Sequence, residues 1–167
     1  MIYTDPTPSD APISATGARL LAEIEAALPR LLAIDDSTAG QSNDAGKWSP
    51  KEVLGHLIDS AANNHQRFIR AQSGASVVDP GYAQVHWVQS QQYGRRSWRD
   101  IVDFWAAYNR HLAHVLTHYP ESRRSIGCQV GDGEPVPLEF VARDYVGHLR
   151  HHLGQVLGVP DAGQQIP

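Results

Sequence analysis

Histidine is the residue type with the most chemical potential in this sequence, where nine histidines accompany one cysteine and one methionine. His148 and His152 are four residues apart, and helical residues at that spacing lie on one face. Two imidazoles so placed can supply two of the four ligand positions around a zinc ion. The pair alone is a weak indication, because nine histidines produce such a spacing easily by chance. A solvent-exposed pair near a helix end is the alternative.

The surroundings of the pair strengthen the metal hypothesis. The apolar residues of a helix predicted over 137–157 form one arc, and His148 and His152 lie on its border. Asp144 and Gln155 share that border and could orient ligands or substrate. One helix supplies only two such ligands here, so a third must come from another helix.

His56 is the candidate for the third ligand. It lies beside the apolar face of a helix predicted over 49–72, with Ser60, Asn63 and Arg67 along the same stripe. Three imidazoles would leave one coordination position for water or substrate, as in catalytic zinc sites. The alternative, a partly buried histidine bonded to a backbone carbonyl, fits the spacing of His56 equally well.

A second set of histidines has helical spacing but unfavourable surroundings. His111, His114 and His118 lie opposite the apolar face of a helix predicted from Ser97 to Tyr119. We expect a solvated face there, because an exposed site offers neither a dry wall nor supporting partners. His65 and His86 have no clear companions in the sequence.

Four amphipathic helices are predicted to position these residues. The first begins at Ser14 and is expected to kink or break at Pro29, which lacks a backbone donor. The second has the clearest start, since Ser49-Pro50-Lys51-Glu52 combines a capping hydroxyl, an N-terminal proline and a Glu three residues after the cap.

The connections complete the predicted architecture. Residues 73–96 read as a long aromatic loop, with a short helix near Gln84–Gln91, that could form a lid or substrate wall. Alternating apolar residues before Gly131-Asp132-Gly133 indicate a small hairpin. We predict an all-α four-helix bundle over residues 14–160 with a long 2–3 loop and a hairpin-like insertion between helices 3 and 4, an N-terminal arm over 1–13 and a tail over 161–167.

Composition excludes several other classes of protein. The formal charge of −4 argues against nucleic acid, and no apolar run is long enough to span a membrane. The start has no secretion signal and Cys128 is the only cysteine, so we expect a cytoplasmic protein. Without a flanking motif, Cys128 is expected to be a small buried residue rather than a nucleophile.

Two segments resemble the DinB/YfiT-like superfamily. Residues 47–60, KWSPKEVLGHLIDS, are similar to its signature, and residues 148–155, HLRHHLGQ, are similar to its closing element. The resemblance implies a four-helix bundle in which three histidines hold a divalent metal, zinc or nickel. Carried onto this chain, the ligands are His56, His148 and His152. It also implies frequent homodimers, and His151 and Asn63 match less firmly as neighbours of the site.

The resemblance also suggests what the protein does. The superfamily includes bacillithiol transferases, mycothiol-dependent isomerases and metal-dependent hydrolases. We therefore expect either a hydrolase or an S-transferase that uses a low-molecular-weight thiol such as bacillithiol, mycothiol or glutathione. The alternative is a metal-binding or dimerisation bundle without turnover, because no general base stands out beside the ligands. Asp59, Asn63, Asp144 and Gln155 are the candidates to orient ligands or substrate.

Overall fold

Four long helices form the body of the molecule. A computed structural model describes residues 10–42 and 46–159 of the chain. The long helices are α1 (Ile13–Leu32), α3 (Pro50–Ala71), α5 (Trp98–Thr117) and α6 (Leu138–Leu157). Both α1 and α3 pack against α5 and α6, and the buried apolar residues of all four make one core. The predicted four-helix bundle is therefore confirmed.

Shorter elements connect the long helices. They are α2 (Asp36–Ala39), α4 (Gln84–Gln91), β1 (Val77–Asp79), β2 (Gly127–Val130), β3 (Val136–Pro137) and two single 3-10 turns at Tyr93–Arg95 and Glu121–Arg123. Strand β2 pairs antiparallel with β3, which confirms the predicted hairpin, and parallel with β1. Strand β1 lies in the segment predicted as a loop, because three residues are too short for an alternation signal and their partner strand lies about 50 residues later.

The start of α3 follows the predicted pattern. The backbone N–H of Ser49 donates to the Glu52 carboxylate at 2.8 Å, and the Glu52 N–H donates to the Ser49 hydroxyl at 3.4 Å. This reciprocal capping satisfies donors that the first turn would otherwise leave unpaired. The beginning of the helix that carries His56 is therefore encoded locally.

The break expected at Pro29 does not occur. Helix α1 continues through Pro29 to Leu32. Proline removes one hydrogen bond to the carbonyl four residues earlier, but Pro29 and Glu25 are exposed, so water can satisfy that carbonyl.

The predicted limits of the domain remain predictions. Helix α1 begins at Ile13, while most of the predicted arm over 1–13 and the whole tail over 161–167 lie outside the described residues. Within the part of the chain that the structure describes, no helix has both the length and the hydrophobicity needed to cross a bilayer.

Candidate metal centre

Helices α3 and α6 bring three histidines to one point. The Nε2 atoms of His56 and His148 are 3.1 Å apart, and the His152 ring lies 4.9 Å from that of His56 and 4.5 Å from that of His148 between centroids. One ligand nitrogen from each residue lies within 4.8 Å of the other two. The three rings are thus close enough to share one cation.

The donor set fits a divalent transition metal. Burial, with repulsion from His152 as the smaller cause, lowers the pKa of His56 to about 4. The pKa of His148 falls to about 2, first through burial and then through repulsion from His152, His56 and His151. Both rings are therefore neutral near pH 7, which is the form that binds metal. Three imidazole nitrogens suit a divalent transition metal.

Neutral side chains orient two of the rings. Gln155 accepts a hydrogen bond from Nδ1 of His152 at 2.9 Å, and its amide nitrogen lies 2.9 Å from Nε2 of His151. The Ser60 hydroxyl lies 3.4 Å from Nδ1 of His148. In both cases Nδ1 is the engaged nitrogen, so Nε2 is the atom with which His148 and His152 would bind a metal.

His56 is positioned mainly by packing. Its side chain is 1% exposed, and the Trp48 ring lies 5.2 Å from its ring. The buried Nδ1 of His56 has no hydrogen-bond partner among residues 10–42 and 46–159. The burial predicted from the apolar face of α3 is therefore observed, whereas the alternative of a bond to a backbone carbonyl is not.

A cavity of about 630 Å³ adjoins the histidines. It lies between α3, α6 and the small sheet, and His148 and Ser60 contribute to its wall. The cavity wall also includes Asn64, Arg67, Tyr82, Cys128, Glu134, Phe140, Asp144 and Tyr145. A second cavity, of about 620 Å³, is lined by Trp48 and Gln155 among others. The first cavity thus reaches His148 itself, and the second adjoins two residues that contact the other two histidines.

The four candidate positioning residues have different surroundings. Asp144 lines the cavity with His148, and Gln155 contacts His152, as described above. Asn63 instead donates to the backbone carbonyl of Asp59 at 2.8 Å, so its amide nitrogen is used within α3.

Asp59 connects α3 to the segment that follows α4. Its carboxylate accepts hydrogen bonds from the Tyr93 hydroxyl at 2.7 Å and from the Gln91 amide. Burial raises the pKa of Asp59, although these hydrogen bonds oppose the shift. The Tyr93 ring packs directly on Gly55, where an added Cβ would lie 2.2 Å from the ring. Asp59 therefore holds the long loop against α3, one turn after His56.

The other histidines are placed largely as expected. His111, His114 and His118 are exposed, which confirms the predicted solvated face. His65 was predicted to have no companions, and this was wrong. Its Nδ1 lies 3.2 Å from the Tyr108 hydroxyl and its ring lies 5.1 Å from that of His111. These contacts join α3 to α5, and the sequence of one helix gives no signal for them.

Several cavity residues were missed by the sequence analysis as site residues. Cys128 is buried, as predicted, but it also lines the cavity, and burial raises the pKa of its thiol. Tyr145 and Phe140 contribute aromatic wall from α6. Tyr145 belongs to the apolar arc of α6 and is buried, as that arc predicts, but nothing local distinguishes a core position from one that borders a cavity.

Comparisons with known proteins agree with the fold. The sequence model of the DinB superfamily matches residues 19–156. The structure resembles YfiT from Bacillus subtilis, described as a "probable metal-dependent hydrolase with an unusual four-helix bundle topology", with a TM-score of 0.79 and 19% identity over 94% of this chain and 91% of YfiT. It also resembles the mycothiol-dependent maleylpyruvate isomerase, with a TM-score of 0.70 and 16% identity over 95% of this chain and 65% of the isomerase.

A search of curated proteins gave no match. At such low identities, the structural likeness shows a shared fold. The family match extends over most of the chain and includes His56, His148 and His152. This protein therefore belongs to the DinB superfamily.

Proposed function

We propose that this protein is a metal-dependent enzyme that transfers or uses a low-molecular-weight thiol, with a divalent cation held by His56, His148 and His152. The observation that carries the proposal is the convergence of three imidazole nitrogens within 4.8 Å beside a cavity of about 630 Å³. Zinc or nickel is the cation that this donor set favours.

A divalent cation with three imidazole ligands and an open position lowers the pKa of a bound thiol or water, so that a nucleophile forms near neutral pH. The chain's own residues prepare the site for this chemistry. Burial keeps His56 and His148 neutral, and Gln155 holds His152 through its Nδ1. The apolar wall at Phe140 and Tyr145 would exclude water from the reacting groups.

Thiol transfer needs two substrates, and the two cavities provide space for both. One is lined by His148 and Ser60, and the other by Gln155 and Trp48. One substrate could therefore lie against His148 and the other beside Trp48 and Gln155, which contact His56 and His152. The similarity in fold to a mycothiol-dependent isomerase also supports a thiol substrate.

Hydrolysis is the second candidate, and Asp144 is the observation that favours it. This carboxylate lines the same cavity as His148 and lies one helical turn before it on α6. A carboxylate so placed could accept a proton from an attacking water. The similarity in fold to YfiT, a probable metal-dependent hydrolase, agrees with this alternative.

Incubation of the zinc- or nickel-loaded protein with bacillithiol, mycothiol or glutathione and an aryl halide electrophile tests the proposal. We expect metal-dependent thiol consumption that is lost in His148→Ala and kept in His114→Ala. Ester hydrolysis without thiol consumption, abolished by Asp144→Asn, would instead favour the hydrolase. Metal binding without either activity would favour a non-catalytic metal-binding or dimerisation bundle. The homodimer and the cytoplasmic location that the sequence suggested stay predictions.

A further inference from the structure

The cavity next to the histidines extends along α3. Ser60, Asn64 and Arg67 all line it and are spaced at four and three residues, so they follow one face of the helix. Ser60 is at the histidine end, since its hydroxyl lies near Nδ1 of His148. Arg67 follows Ser60 by seven positions, which corresponds to about 10 Å along the helix axis.

Arg67 is a buried cation in the wall of this cavity. The residue is 7% exposed. Its Nη1 donates to the Asn64 side-chain oxygen at 3.2 Å, and its Nη2 donates to Asp79 at 3.1 Å. These two bonds hold the guanidinium plane in place. The position of the charge relative to the histidines is therefore set before any ligand enters.

The guanidinium has donors to spare. It carries five N–H groups, and the two hydrogen bonds to Asn64 and Asp79 use one on each terminal nitrogen. The buried Nε has no hydrogen-bond partner in the described part of the chain. A buried cationic group with unpaired donors is costly unless an anion or acceptor completes its hydrogen bonds.

The ion pair with Asp79 does not use all the hydrogen-bond donors of Arg67. The Asp79 oxygen that accepts from Arg67 also accepts from the backbone N–H of Gly81 at 2.8 Å. Of the charged residues that line the cavity, Glu134 is exposed and screened by water, and Asp144 lies towards His148 on α6. Arg67 is the only lysine or arginine among the residues that line this cavity.

The wall between the two ends of the cavity is largely aromatic and apolar. Tyr82, Phe140 and Tyr145 contribute rings, and valines from β2, β3 and α6 fill the spaces between them. A ligand in this cavity would therefore meet the imidazole of His148 at one end, an apolar wall in the middle and a guanidinium at the other end. Such a wall favours a ligand with an apolar body.

We propose that the cavity selects a substrate with an apolar body and a carboxylate, and that Arg67 binds the carboxylate. Arg67 lies about 10 Å from Ser60 along the axis of α3. A planar carboxylate matches the fork of guanidinium donors. The reaction at the histidine end rests on the function proposed above. The carboxylate could belong to the thiol or to its acceptor, and Arg67 is the specificity-determining residue in both cases.

A purely structural role is the competing explanation. Arg67 joins α3 to β1 through Asp79, so its loss could destabilise the fold without any effect on specificity. Arg67→Gln alone would leave the Asp79 carboxylate buried without its cation. The double variant Arg67→Gln/Asp79→Asn removes both charges and keeps an oxygen for the Gly81 N–H. Arg70→Gln is the matched control, since Arg70 lies one turn away but is exposed and donates to the Val78 carbonyl.

Calorimetric titration with ligands that span the cavity tests the proposal. The zinc-loaded protein and its variants are titrated with ω-mercaptocarboxylates of increasing chain length and with ω-mercaptoalcohols of the same lengths. For chains long enough to reach Arg67, we expect the acid to bind about tenfold more tightly than the alcohol. That preference should disappear in the double variant and persist in Arg70→Gln.

The metal-free protein separates this inference from the proposed function. Its titration with long-chain alkanoates and alkanols contains no thiol and no metal, so a preference for the acid that depends on Arg67 supports the proposal even if thiols do not bind. Equal affinities for acid and alcohol in the parent protein, with or without metal, would overturn it. A preference that survives in the double variant would also overturn it.

Steady-state kinetics identify which substrate carries the carboxylate. Two acidic substrates are compared, glutathione as the thiol and a carboxylate-bearing aryl halide as the acceptor. Each is paired with a neutral partner substrate. An increase of about tenfold in KM for one acidic substrate, in the double variant only, identifies that substrate as the ligand of Arg67. Unchanged KM values for both acidic substrates would argue against the proposal.

Discussion

Two groups of three histidines lie on the same bundle and have opposite surroundings. His111, His114 and His118 all come from α5 and are exposed. The group at the cavity takes His56 from α3 and the pair at four-residue spacing from α6. Spacing along the helix is similar in the two groups. Burial and the convergence of three ligand nitrogens on one point, rather than spacing, therefore distinguish the group at the cavity.

Removal of one buried ligand should give the largest difference between the groups. His56→Ala leaves two imidazoles, so we expect its zinc affinity to fall by more than the roughly hundredfold that loss of an outer partner can cause. His114→Ala should retain about one equivalent of zinc, as in the parent protein. Metal analysis after dialysis and competition with a chromophoric chelator measure both. Equal loss of zinc in the two variants would remove the distinction between the groups.

The stability of the metal-free protein should depend on pH through His56 and His148. An unfolded chain protonates its histidines near about pH 6.5, whereas burial lowers the pKa of His56 to about 4 and that of His148 to about 2. Below about pH 6.5 the unfolded state therefore binds more protons than the folded state. The free energy of unfolding should then decrease as the pH is lowered, by up to about 1.4 kcal/mol per pH unit for each residue. The contribution of His56 to this slope should end near pH 4.

Urea unfolding with a chelator between about pH 7 and about pH 5 measures this slope. His56→Asn should make the slope shallower, because asparagine does not titrate. His114→Gln, on the exposed face of α5, is the control for loss of a histidine elsewhere on the bundle. An identical slope in the parent protein and His56→Asn would contradict the expected effect of burial.

Gly55, the neighbour of His56 in α3, should tolerate substitution poorly because the Tyr93 ring packs directly on it. In Gly55→Ala the new methyl group would lie 2.2 Å from the Tyr93 ring, which is itself buried. The ring and its hydrogen bond to Asp59 must shift, so we expect a loss of about 1–3 kcal/mol in the free energy of unfolding. Gly94→Ala is the matched control, because no atom lies within 4 Å of its added Cβ. Its stability should stay within about 0.5 kcal/mol of the parent.

The smallest effect is expected from the residue that orients a ring without binding metal itself. Gln155→Ala removes the acceptor for Nδ1 of His152 and the contact with His151. We expect zinc affinity to fall about tenfold while stoichiometry is kept. Gln155→Glu retains an acceptor oxygen and should restore most of the affinity. If both variants bind zinc like the parent protein, the ring of His152 is oriented by packing alone.

The sequence predicted those parts of the fold that depend on neighbouring residues. The Ser49–Glu52 capping box, the short helix α4 and the hairpin of β2 and β3 were all predicted within a few residues. The small helix α2 was missed within a polar stretch, although Asp35 caps it by accepting from the Thr38 N–H. Short elements of this kind compete with turns that use the same side chains.

The candidate site was only partly accessible to the same reasoning. Helical spacing and the borders of two apolar arcs pointed to His56, His148 and His152, and the family resemblance added weight to that choice. The contact of His65 with Tyr108 and the cavity wall at Cys128 depend on helices and strands that are distant in sequence. No local pattern reports such pairings.

The sequence by itself determined where helices begin, which faces they bury and which histidines lie at the edge of those faces, because these properties follow from contacts between residues a few positions apart. Only the tertiary structure decided that α3 and α6 pack so that His56 meets His148, and that β1 pairs with β2 to enclose a cavity. The position of Arg67 in that cavity depends on the same packing. These features join residues up to 92 positions apart, and their geometry emerges only when the core assembles.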